Sequence, residues 1–357
     1  MENIINELQT FLRQKPPQIN VVVMPDFFLD RLISLNCDRN SFCRIVADIT
    51  KRKGGSIDGI QQTDLRGGNA INTASALAAL DITVTPIICT TKRGLEKLRY
   101  YMQRGSVDLS HVKILERASL TTALELESET GKVNVMLRDL GSLADFSTAN
   151  LTNNDYELLD SADYVCLFNW AGLKKHGTEL AQEIFQRVKR GKGKTYFDTA
   201  DPTPNREKIP DLMEIVLKTE LLDIVSLNEN EAVTYASLIS GDFSEESIGG
   251  KRSDKLALEA SKLLAGQLPA RIDLHTTGFS GTFKKKSEVV VPTFKVNALR
   301  ATGAGDSWNA GNILGDSYNL STESRLTLAN AVAACYISSP SGSHPTREQL
   351  IRFLEKN

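Results

Sequence analysis

Short β-rich runs alternate with helical patterns along most of this chain, and this alternation restricts the possible folds more than any other feature. Most runs typical of a buried strand are followed by a segment with apolar residues at helical spacing. Such repetition is typical of a mainly parallel sheet with helices on both faces. The predicted strands are INVVV (19–23), VTPIICT (84–90), YVCLFN (164–169), KTYFD (194–198), DIVSLN (223–228) and ARIDLHTT (270–277). The predicted helices lie between them, near residues 73–80, 95–103, 179–189 and 211–218.

Two stretches interrupt this alternation. Residues 119–139 predict a hairpin of two alternating strands, and residues 55–68 predict a further extended segment. Consecutive strands without helices between them do not fit a doubly wound sheet. We therefore predict a small β lid over an active site, built from about residues 29–66 and 118–140. The rest fits a single α/β domain that spans all 357 residues, with an extra amphipathic helix over about residues 1–15.

Composition and charge exclude several classes of protein. The 42 Lys and Arg residues balance 44 Asp and Glu residues, so the net charge of −2 gives no basis for a nucleic-acid partner. The five cysteines are scattered without a C-x-x-C pair, which argues against a zinc site or a disulfide framework. No apolar run approaches the roughly 20 residues that span a bilayer, and Glu2 and Glu7 argue against a signal peptide. We therefore expect a cytoplasmic protein without a membrane partner.

The stretch TGAGD, residues 302–306, predicts an anion-binding site. Gly303, Ala304 and Gly305 are small, so their consecutive backbone N–H groups can point into one concavity at a positively polarised helix start. Asp306 follows directly, where a base beside a phosphoryl group would stand. A plain helix-capping role for the aspartate is the alternative, but a cap needs no run of three small residues before it.

A second Gly-rich turn precedes the helix predicted near residues 73–80. Gly67 and Gly68 permit a tight turn, and Asn69 and Asn72 offer amide groups at helical i, i+3 spacing. Such amides can bind hydroxyl groups. A strand-to-helix turn with Asn caps explains the same residues equally well.

Two further motifs stand at predicted strand ends. Asn228 and Glu231 lie three residues apart at a helix start, and their side chains suit a hydrated Mg²⁺, although a capping box explains the spacing equally well. Thr276, Gly278 and Gly281 form a T-x-G-x-x-G pattern that suits nucleotide phosphates, with a plain turn as the alternative. All four motifs lie at or just beyond the carboxyl ends of predicted strands, where open α/β sheets bind ligands.

These residues together resemble the PfkB/ribokinase family of carbohydrate and nucleoside kinases. GGNAIN (67–72) and GAGDSWNAG (303–311) are similar to its two signatures, and N-x-x-E (228–231) and T-x-G-x-x-G (276–281) stand between them in the family's order. The resemblance covers roughly residues 19–355. It implies a ribokinase-like α/β fold with a β lid, and a phosphotransferase (EC 2.7.1.-) that uses ATP and Mg²⁺ and has an alcohol group as acceptor.

The resemblance also implies a role for each motif. Asp306 would take the proton from the acceptor hydroxyl, and the N–H groups of Gly303, Ala304 and Gly305 would form the anion hole for the moving phosphoryl group. Asn228 and Glu231 would order the water shell of Mg²⁺. The substrate would meet Asp30, Gly67, Gly68 and Asn72. The cofactor would meet Asn228, and Thr276, Gly278, Gly281 and Asn330 would hold the nucleotide.

Arg138 and Asn169 complete the predicted substrate residues. Arg138, near the end of the hairpin, could meet a substrate phosphate or carboxylate, and a solvated strand-end charge explains it equally well. A neutral sugar or nucleoside is the first expectation for the substrate, and a sugar phosphate is the second. A catalytically silent sugar- or nucleotide-binding protein on the same fold is a further alternative. A dinucleotide-dependent oxidoreductase is disfavoured, because VVVMPDFF at the first strand contains no glycine.

One departure from the family bears on cations. Relatives often carry Asp-Thr before the anion-hole segment, where this chain has Arg300 and Ala301. That aspartate commonly helps to hold a monovalent cation in the relatives that use one, and an arginine would repel it. We therefore predict that activity is independent of K⁺. The edge strands of the predicted lid could also pair with a second copy, so a homodimer is possible.

Overall fold

Strands and helices follow one another much as the sequence predicts. The computed structural model describes residues 2–15, 18–103, 106–129, 131–243, 253–285, 287–300 and 302–356. The strands are β1 (Asn20–Met24), β2 (Phe28–Asp38), β3 (Gln61–Gly67), β4 (Thr83–Pro86), β5 (Cys89–Thr90), β6 (Lys113–Ile114), β7 (Ser119–Ser128), β8 (Gly131–Asp139), β9 (Tyr164–Phe168), β10 (Lys194–Asp198), β11 (Ile224–Asn228), β12 (Arg271–His275), β13 (Phe279–Lys284) and β14 (Ser287–Pro292).

The helices surround these strands. The α-helices are α1 (Glu2–Arg13), α2 (Arg39–Lys51), α3 (Asn69–Ala79), α4 (Lys92–Tyr101), α5 (Asn153–Ser161), α6 (Gly177–Val188), α7 (Ile209–Leu212), α8 (Glu229–Ser237), α9 (Ser253–Gln267), α10 (Ala304–Ser317), α11 (Thr322–Ser338) and α12 (Arg347–Leu354). Short 3-10 helices cover Gly141–Asp145, Thr148–Asn150, Trp170–Gly172 and Thr203–Lys208, and a π-helical turn, Met213–Leu217, follows α7.

The larger sheet has eight strands in the order β14-β13-β12-β11-β10-β9-β1-β4. Neighbours from β4 to β12 are parallel, β13 is antiparallel to β12, and β14 is antiparallel to β13. The parallel strands therefore end at one edge of the sheet, where ligands bind in open α/β folds. The predicted α/β fold with a mainly parallel sheet is confirmed.

Both faces of this sheet are buried. Along β1, Val22 and Met24 belong to one apolar cluster, and Val21 and Val23 belong to a second cluster on the opposite face. This alternation is what a strand buried on both sides requires, because successive side chains point to opposite faces. None of the helices in the described ranges has the length and apolar character needed to cross a bilayer.

The second sheet has four strands in the order β3-β2-β7-β8. It contains the predicted hairpin, β7 with β8, and β2 pairs with β7 in parallel. The sequence does not predict α2, which is inserted between β2 and β3. Asp38 caps this helix by accepting from the backbone N of Asn40 at 2.8 Å and of Ser41 at 3.0 Å. None of its residues is buried.

Candidate active site

Polar side chains gather where the parallel strands end. The residues at these ends are Asp26 and Asn169, just beyond β1 and β9, and Asp198, Asn228 and His275, the last residues of β10, β11 and β12. The start of α10 lies at the same edge, since Nδ2 of Asn309 donates to Oδ2 of Asp198 at 2.7 Å. The predicted motifs therefore meet at one edge of the sheet.

Asp306 lies in the first turn of α10, and two amides from the start of α3 hold its carboxylate. Nδ2 of Asn69 donates to Oδ1 at 2.9 Å, and Nδ2 of Asn72 donates to Oδ2 at 3.0 Å. Only 6% of Asp306 is exposed. Burial raises its pKa well above the ordinary value, the carboxylates of Asp198 and Asp26 raise it further, and the two amides oppose these effects. The result is an oriented carboxylate with raised basicity.

The start of α10 is open to an anion. Gly303 precedes the helix with a φ of 84°, and no side chain in the described ranges caps it. The first N–H groups of a helix have no partner within it, so those of Ala304 and Gly305 remain available. A Cβ at residue 303 would lie 2.8 Å from the hydroxyl oxygen of Tyr336. Both carboxylate oxygens of Asp306 accept hydrogen bonds from side-chain amides of α3. The side chain therefore does not act as a plain helix cap, which was the alternative interpretation.

Asp26, which the sequence analysis did not single out, organises the opposite wall. It is fully buried and accepts from the backbone N of Asn69 at 2.9 Å and of Ala70 at 2.8 Å. It thereby caps α3, whose own N-cap residue, Gly68, has no side chain to do so. Burial raises the pKa of Asp26, and these hydrogen bonds oppose the shift. Asn169 also donates to Asp26, through Nδ2 at 2.8 Å.

This bond changes the interpretation of Asn169. The sequence analysis predicts a substrate contact, but Asn169 is 2% exposed and its amide is turned to Asp26. Its backbone is left-handed, with a φ of 51°. The structure therefore places Asn169 as a brace for Asp26 and gives no open surface for a substrate at that amide nitrogen.

The two glycines before α3 are required by close contacts. Gly68 has a φ of 96°, and a Cβ there would lie 2.9 Å from the carbonyl oxygen of Asp26. A Cβ at Gly67 would lie 2.0 Å from Oδ2 of Asp30. Only glycine allows this approach, so the double glycine shapes the pocket wall instead of merely turning the chain.

Asp30 presents a free acceptor beside Gly67. Its Oδ1 is buried and has no hydrogen-bond partner among the described residues. Burial raises its pKa to about 6, against a hydrogen bond from Thr121 and the charge of Arg138. A buried acceptor without a donor is costly to leave unpaired. Asp30 is therefore suited to accept a hydrogen bond from a hydroxyl group of a ligand, which is the role predicted for it toward the substrate.

Arg138 lies on the same face of the small sheet as Asp30. Both residues stand opposite Thr121 of β7, Asp30 from β2 and Arg138 from β8. Side chains directly opposite on neighbouring strands share a face. The Arg138 guanidinium lies 5.0 Å from the ring centroid of Phe28, and its side chain is exposed.

Asn228 and Glu231 form the capping box that was the alternative interpretation of their spacing. Oδ1 of Asn228 accepts from the backbone N of Glu231, and Oε2 of Glu231 accepts from the backbone N of Asn228, both at 2.9 Å. Burial raises the pKa of Glu231 well above its usual range, and Asp198 raises it further. In the described ranges no three metal-ligating side chains cluster.

The predicted nucleotide motif divides into a turn and a strand. Oγ1 of Thr276 accepts from the backbone N of Gly278 at 3.1 Å and of Phe279 at 3.0 Å, which closes the turn between β12 and β13. Gly278 is exposed in this turn. Gly281 is not, because it lies inside β13, where a Cβ would lie 2.7 Å from the Phe283 ring. Packing explains a glycine at this position, and its expected contact with the nucleotide stays a prediction.

Asn330 is buried within a network of hydrogen bonds, and its expected contact with the nucleotide stays a prediction. It is 3% exposed, and its Oδ1 accepts from Nε1 of Trp308 at 3.0 Å and from Oγ of Ser280. Its Nδ2 donates to the carbonyl oxygen of Pro292 at 3.1 Å. These bonds tie α11 to β13, β14 and α10, so the structure does not bring Asn330 to an open nucleotide surface.

Arg300 lies against the segment that follows α11. Its guanidinium is 5.8 Å from the ring centroid of Tyr336, and Nη2 donates to the carbonyl oxygen of Pro340 at 3.2 Å. A Cβ at Gly342 would lie 2.0 Å from Nη1. The positive charge of Arg300 therefore lies against this segment. Ala301, the second residue of the departure, lies outside the described residues.

Sequence reasoning missed three residues of this edge besides Asp26. Asn69 was noted as an amide but given no contact with Asp306. Asp198 ends a predicted strand, and His275 directly precedes the T-x-G-x-x-G pattern. Burial lowers the pKa of His275 to about 4, and its Nε2 is buried without a partner among the described residues. The rule that strand ends bind ligands would have found Asp198 and His275. No local signal pairs Asn69 with Asp306.

Comparison with known proteins identifies the family. The model of the pfkB family carbohydrate kinases matches residues 42–349. Among curated proteins, the ribokinase of Haemophilus influenzae is 22% identical over 309 residues, which cover 85% of this chain and 92% of that protein.

Solved structures agree on the fold. The ribokinase of Arabidopsis thaliana, solved with ribose and ATP, has a TM-score of 0.70 at 16% identity, covering 96% of this chain and 99% of that chain. The adenosine kinase of Sinorhizobium meliloti has a TM-score of 0.69 at 16% identity, covering 95% and 99%. The predicted ribokinase-like fold is confirmed. Because the family model matches most of the sequence, this chain belongs to the pfkB family of carbohydrate kinases.

Proposed function

We propose that this chain catalyses the ATP-dependent phosphorylation of a hydroxyl group on a small sugar or nucleoside, with Asp306 as the general base. One observation carries the proposal: the Asp306 carboxylate is fixed by Asn69 and Asn72 directly beside the uncapped start of α10. Phosphoryl transfer needs positioning and charge stabilisation more than covalent chemistry. A base next to an anion hole provides both.

Asp306 would remove the proton of the acceptor hydroxyl during in-line transfer. Its raised pKa makes the ionised carboxylate a stronger base than an exposed aspartate. The amides of Asn69 and Asn72 each use one lone pair of a carboxylate oxygen, so each oxygen can still accept the hydroxyl proton. General-base catalysis of this kind contributes about 10² to 10⁴ in rate.

The backbone N–H groups of Gly303, Ala304 and Gly305 would stabilise the transferred phosphoryl group. They stand at the positive end of α10, and the small side chains leave the approach open. Donors that are already in place need no reorganisation as negative charge develops. This arrangement supports an anion hole as the second catalytic element.

The four-stranded sheet would act as a lid. It carries Asp30 and Arg138 on one face, next to the strand ends. Movement of this sheet over the acceptor would bring Asp30 to a substrate hydroxyl and exclude water, which would suppress the hydrolysis of ATP.

ATP is proposed as the donor because the similar ribokinase of Arabidopsis thaliana was solved with ATP and ribose. The turn at Thr276 and Gly278 is the proposed phosphate and nucleotide contact. Mg²⁺ would be held through water by Glu231 and Asn228, where Asp198 and Asp201 make the surroundings more negative. When bound, Mg²⁺ neutralises charge on the phosphates of the nucleotide.

Release of ADP from ATP tests the proposal directly. The acceptors are pentoses, hexoses, ketodeoxy acids, nucleosides and their phosphates. Asp306→Asn is expected to lower kcat by about 10² to 10⁴ while ATP binding and folding are retained. Asp48→Asn, which changes an exposed carboxylate on α2, is the matched control and should not alter kcat. A kcat near the wild-type value in Asp306→Asn would refute the assignment of the base.

A sugar phosphate is the second candidate acceptor, because Arg138 offers an exposed guanidinium beside Asp30. A catalytically silent binding protein is disfavoured by the intact base and the uncapped helix. Calorimetry that detects sugar binding without any ATP consumption would favour that alternative.

We also propose a homodimer through the small sheet. β8 is an edge strand, and Val133, Val135 and Leu137 on it are exposed apolar side chains. Edge strands of this kind pair readily with another copy. Light scattering coupled to size-exclusion chromatography would detect it. All five cysteines are free thiols, which supports a reducing cytosol as the place of action.

A further inference from the structure

The carbonyl oxygen of Gly303 is held from the protein interior. Oγ of Ser307 donates to it at 3.0 Å, and the backbone N of Ser307 donates to it at 3.1 Å. Ser307 is fully buried. This carbonyl belongs to the same planar peptide as the N–H of Ala304, and in a trans peptide the two groups point in opposite directions. The bonds from Ser307 therefore also fix the direction of an N–H group at the start of α10.

A buried histidine lies behind Ser307. Nδ1 of His344 is 3.1 Å from Oγ of Ser307, and only 7% of His344 is exposed. A serine hydroxyl has one hydrogen to donate. Because Ser307 donates it to Gly303, Nδ1 of His344 carries the hydrogen of the second bond. Burial lowers the pKa of His344 well below its usual range, and the charge of Arg66 lowers it further, so the ring is neutral.

Tyr336, in the last turn of α11, contacts Gly303 directly. Its hydroxyl oxygen occupies the space that a Cβ at Gly303 would need, 2.8 Å from that position. The Tyr336 ring stacks on His344, with ring centroids 4.6 Å apart and an angle of 17° between the ring planes. Gly303 is therefore held at its carbonyl through His344 and at its Cα by Tyr336, and these two side chains pack on each other.

These contacts exceed what the start of a helix requires. Gly303 has a φ of 84°, which glycine adopts without strain. The carbonyl of an N-cap residue ordinarily receives one bond, from the backbone N–H four residues later. Here it receives a second bond from a buried hydroxyl, which is itself held by a buried ring. Such support suits a donor whose direction must not change during a reaction.

We propose that Ser307, His344 and Tyr336 are positioning residues for the anion hole: they hold the Gly303–Ala304 peptide so that its N–H group points at the transferred phosphoryl group. This inference rests on the proposed kinase function and adds three residues to it. The three side chains act through the peptide, and none is assigned a contact with ATP or the acceptor. A peptide that was free to turn would have to reorient as negative charge develops, whereas a held one would not.

Removal of single hydroxyl groups tests the inference in the ADP-release assay. Ser307→Ala and Tyr336→Phe are each expected to lower kcat by about 10- to 100-fold and to leave KM for ATP and for the acceptor unchanged. The matched controls are Ser317→Ala and Tyr318→Phe at the other end of α10, whose hydroxyls also donate to main-chain carbonyls, at 2.7 and 3.2 Å. The controls should leave kcat unchanged. A kcat near the wild-type value in both test variants, or equal losses in the controls, would overturn the inference.

Variants of His344 separate the hydrogen bond from packing. His344→Leu removes the donor and should lower kcat as Ser307→Ala does. In His344→Asn, Nδ2 can take the place of Nδ1, so this variant should recover most of the kcat that His344→Leu loses. A role in stability alone predicts the reverse order, because leucine fits a buried site better than asparagine does. If kcat followed Tm instead of the presence of the donor, the positioning role would be refuted.

Amide hydrogen exchange needs no substrate and follows the peptide itself. The backbone N–H of residue 307 bonds the carbonyl oxygen of Gly303, so its exchange rate reports how firmly that peptide is held. His344→Leu and Tyr336→Phe should each speed this exchange about fivefold, the equivalent of one hydrogen bond, and Tyr318→Phe should not.

Failure of this inference is separable from failure of the proposed function. Unchanged exchange and unchanged kcat in the variants of His344 and Tyr336, with turnover still lost in Asp306→Asn, would refute the positioning role and leave the kinase function standing. Absence of ATP consumption by the wild type with every acceptor would overturn both, whatever the exchange rates.

Discussion

Replacement of Asp306 by asparagine is expected to stabilise the fold increasingly as the pH rises. The carboxylate is buried, Asp26 and Asp198 add negative charge, and Arg66 is the positive charge nearby. The folded protein raises the pKa of Asp306 above its ordinary value of 3.8. The fold therefore favours the protonated form. The stability contributed by this group is fully present below the unfolded pKa and is lost as the pH rises through the folded pKa.

The size of the expected change in Tm follows from the pKa shift and from the hydrogen bonds of Asp306. One pKa unit corresponds to about 1.4 kcal/mol, and for a chain of 357 residues a typical unfolding entropy converts this into roughly 2 °C in Tm. The asparagine also turns one acceptor oxygen into a donor that faces the amide of Asn69 or Asn72. This loses one buried hydrogen bond, at a cost of about 1–3 kcal/mol that does not depend on pH. In acid the Asp306→Asn variant should melt at or below the wild-type Tm. As the pH rises, the Tm of the variant should increase relative to that of the wild type by roughly 2 °C per pH unit.

Thermal unfolding of both proteins between about pH 4.5 and 8.5 at constant ionic strength measures this difference. The Asp48→Asn variant, with an exposed carboxylate, should show a flat difference across the range. A flat difference for Asp306→Asn would mean that its pKa is not raised, and the argument for an activated base would fail. Near-normal turnover of the variant would refute the argument independently.

Three other outcomes are expected. Gly68→Ala should lower Tm by about 3–6 °C, because the residue has a φ of 96° and a Cβ would contact backbone atoms. The control Gly241→Ala, with open space around the residue, should leave Tm unchanged. Equal Tm values for the two variants would contradict this prediction. The kcat/KM for the acceptor should rise with pH around 6 as Asp30 ionises, since its pKa is raised to about 6; a profile without this limb, or one unchanged by Asp30→Asn, would count against Asp30 as a hydroxyl acceptor. K⁺ should not activate the enzyme over Na⁺ or choline, because the Arg300 guanidinium lies against the segment after α11 and its charge would repel a cation. Several-fold activation by K⁺ would show that prediction to be wrong.

Local signals in the sequence were enough to place the sheet and its binding edge. β1 and β9 to β12 are short apolar runs with helices between them, and the order of such elements determines where their carboxyl ends meet. The helix α2 was not predicted although Asp38 caps it, because the sequence analysis assigned residues 29–66 as a whole to the β lid.

The contacts of the site were harder to predict, because they join residues far apart in the chain. Nothing near Asp26 indicates that it caps a helix beginning at Asn69, and nothing near Asn72 indicates that its amide turns to Asp306. The N-x-x-E spacing fits a capping box and a metal site equally, and the structure forms the capping box. At Gly281 the T-x-G-x-x-G pattern extends past the turn between β12 and β13, because this residue lies inside β13.

The double hydrogen bond from Asp26 to the start of α3 has a consequence for the family's two signatures. α3 carries the amides that hold the carboxylate of Asp306 on α10. The position of this carboxylate therefore depends on how Asp26, just beyond the first strand, holds the start of a different helix. The geometry of each glycine-containing motif therefore depends on the other, although most strands of the sheet lie between them in the chain. Transplanting either half into another α/β scaffold would carry the residues but not the alignment that makes them work.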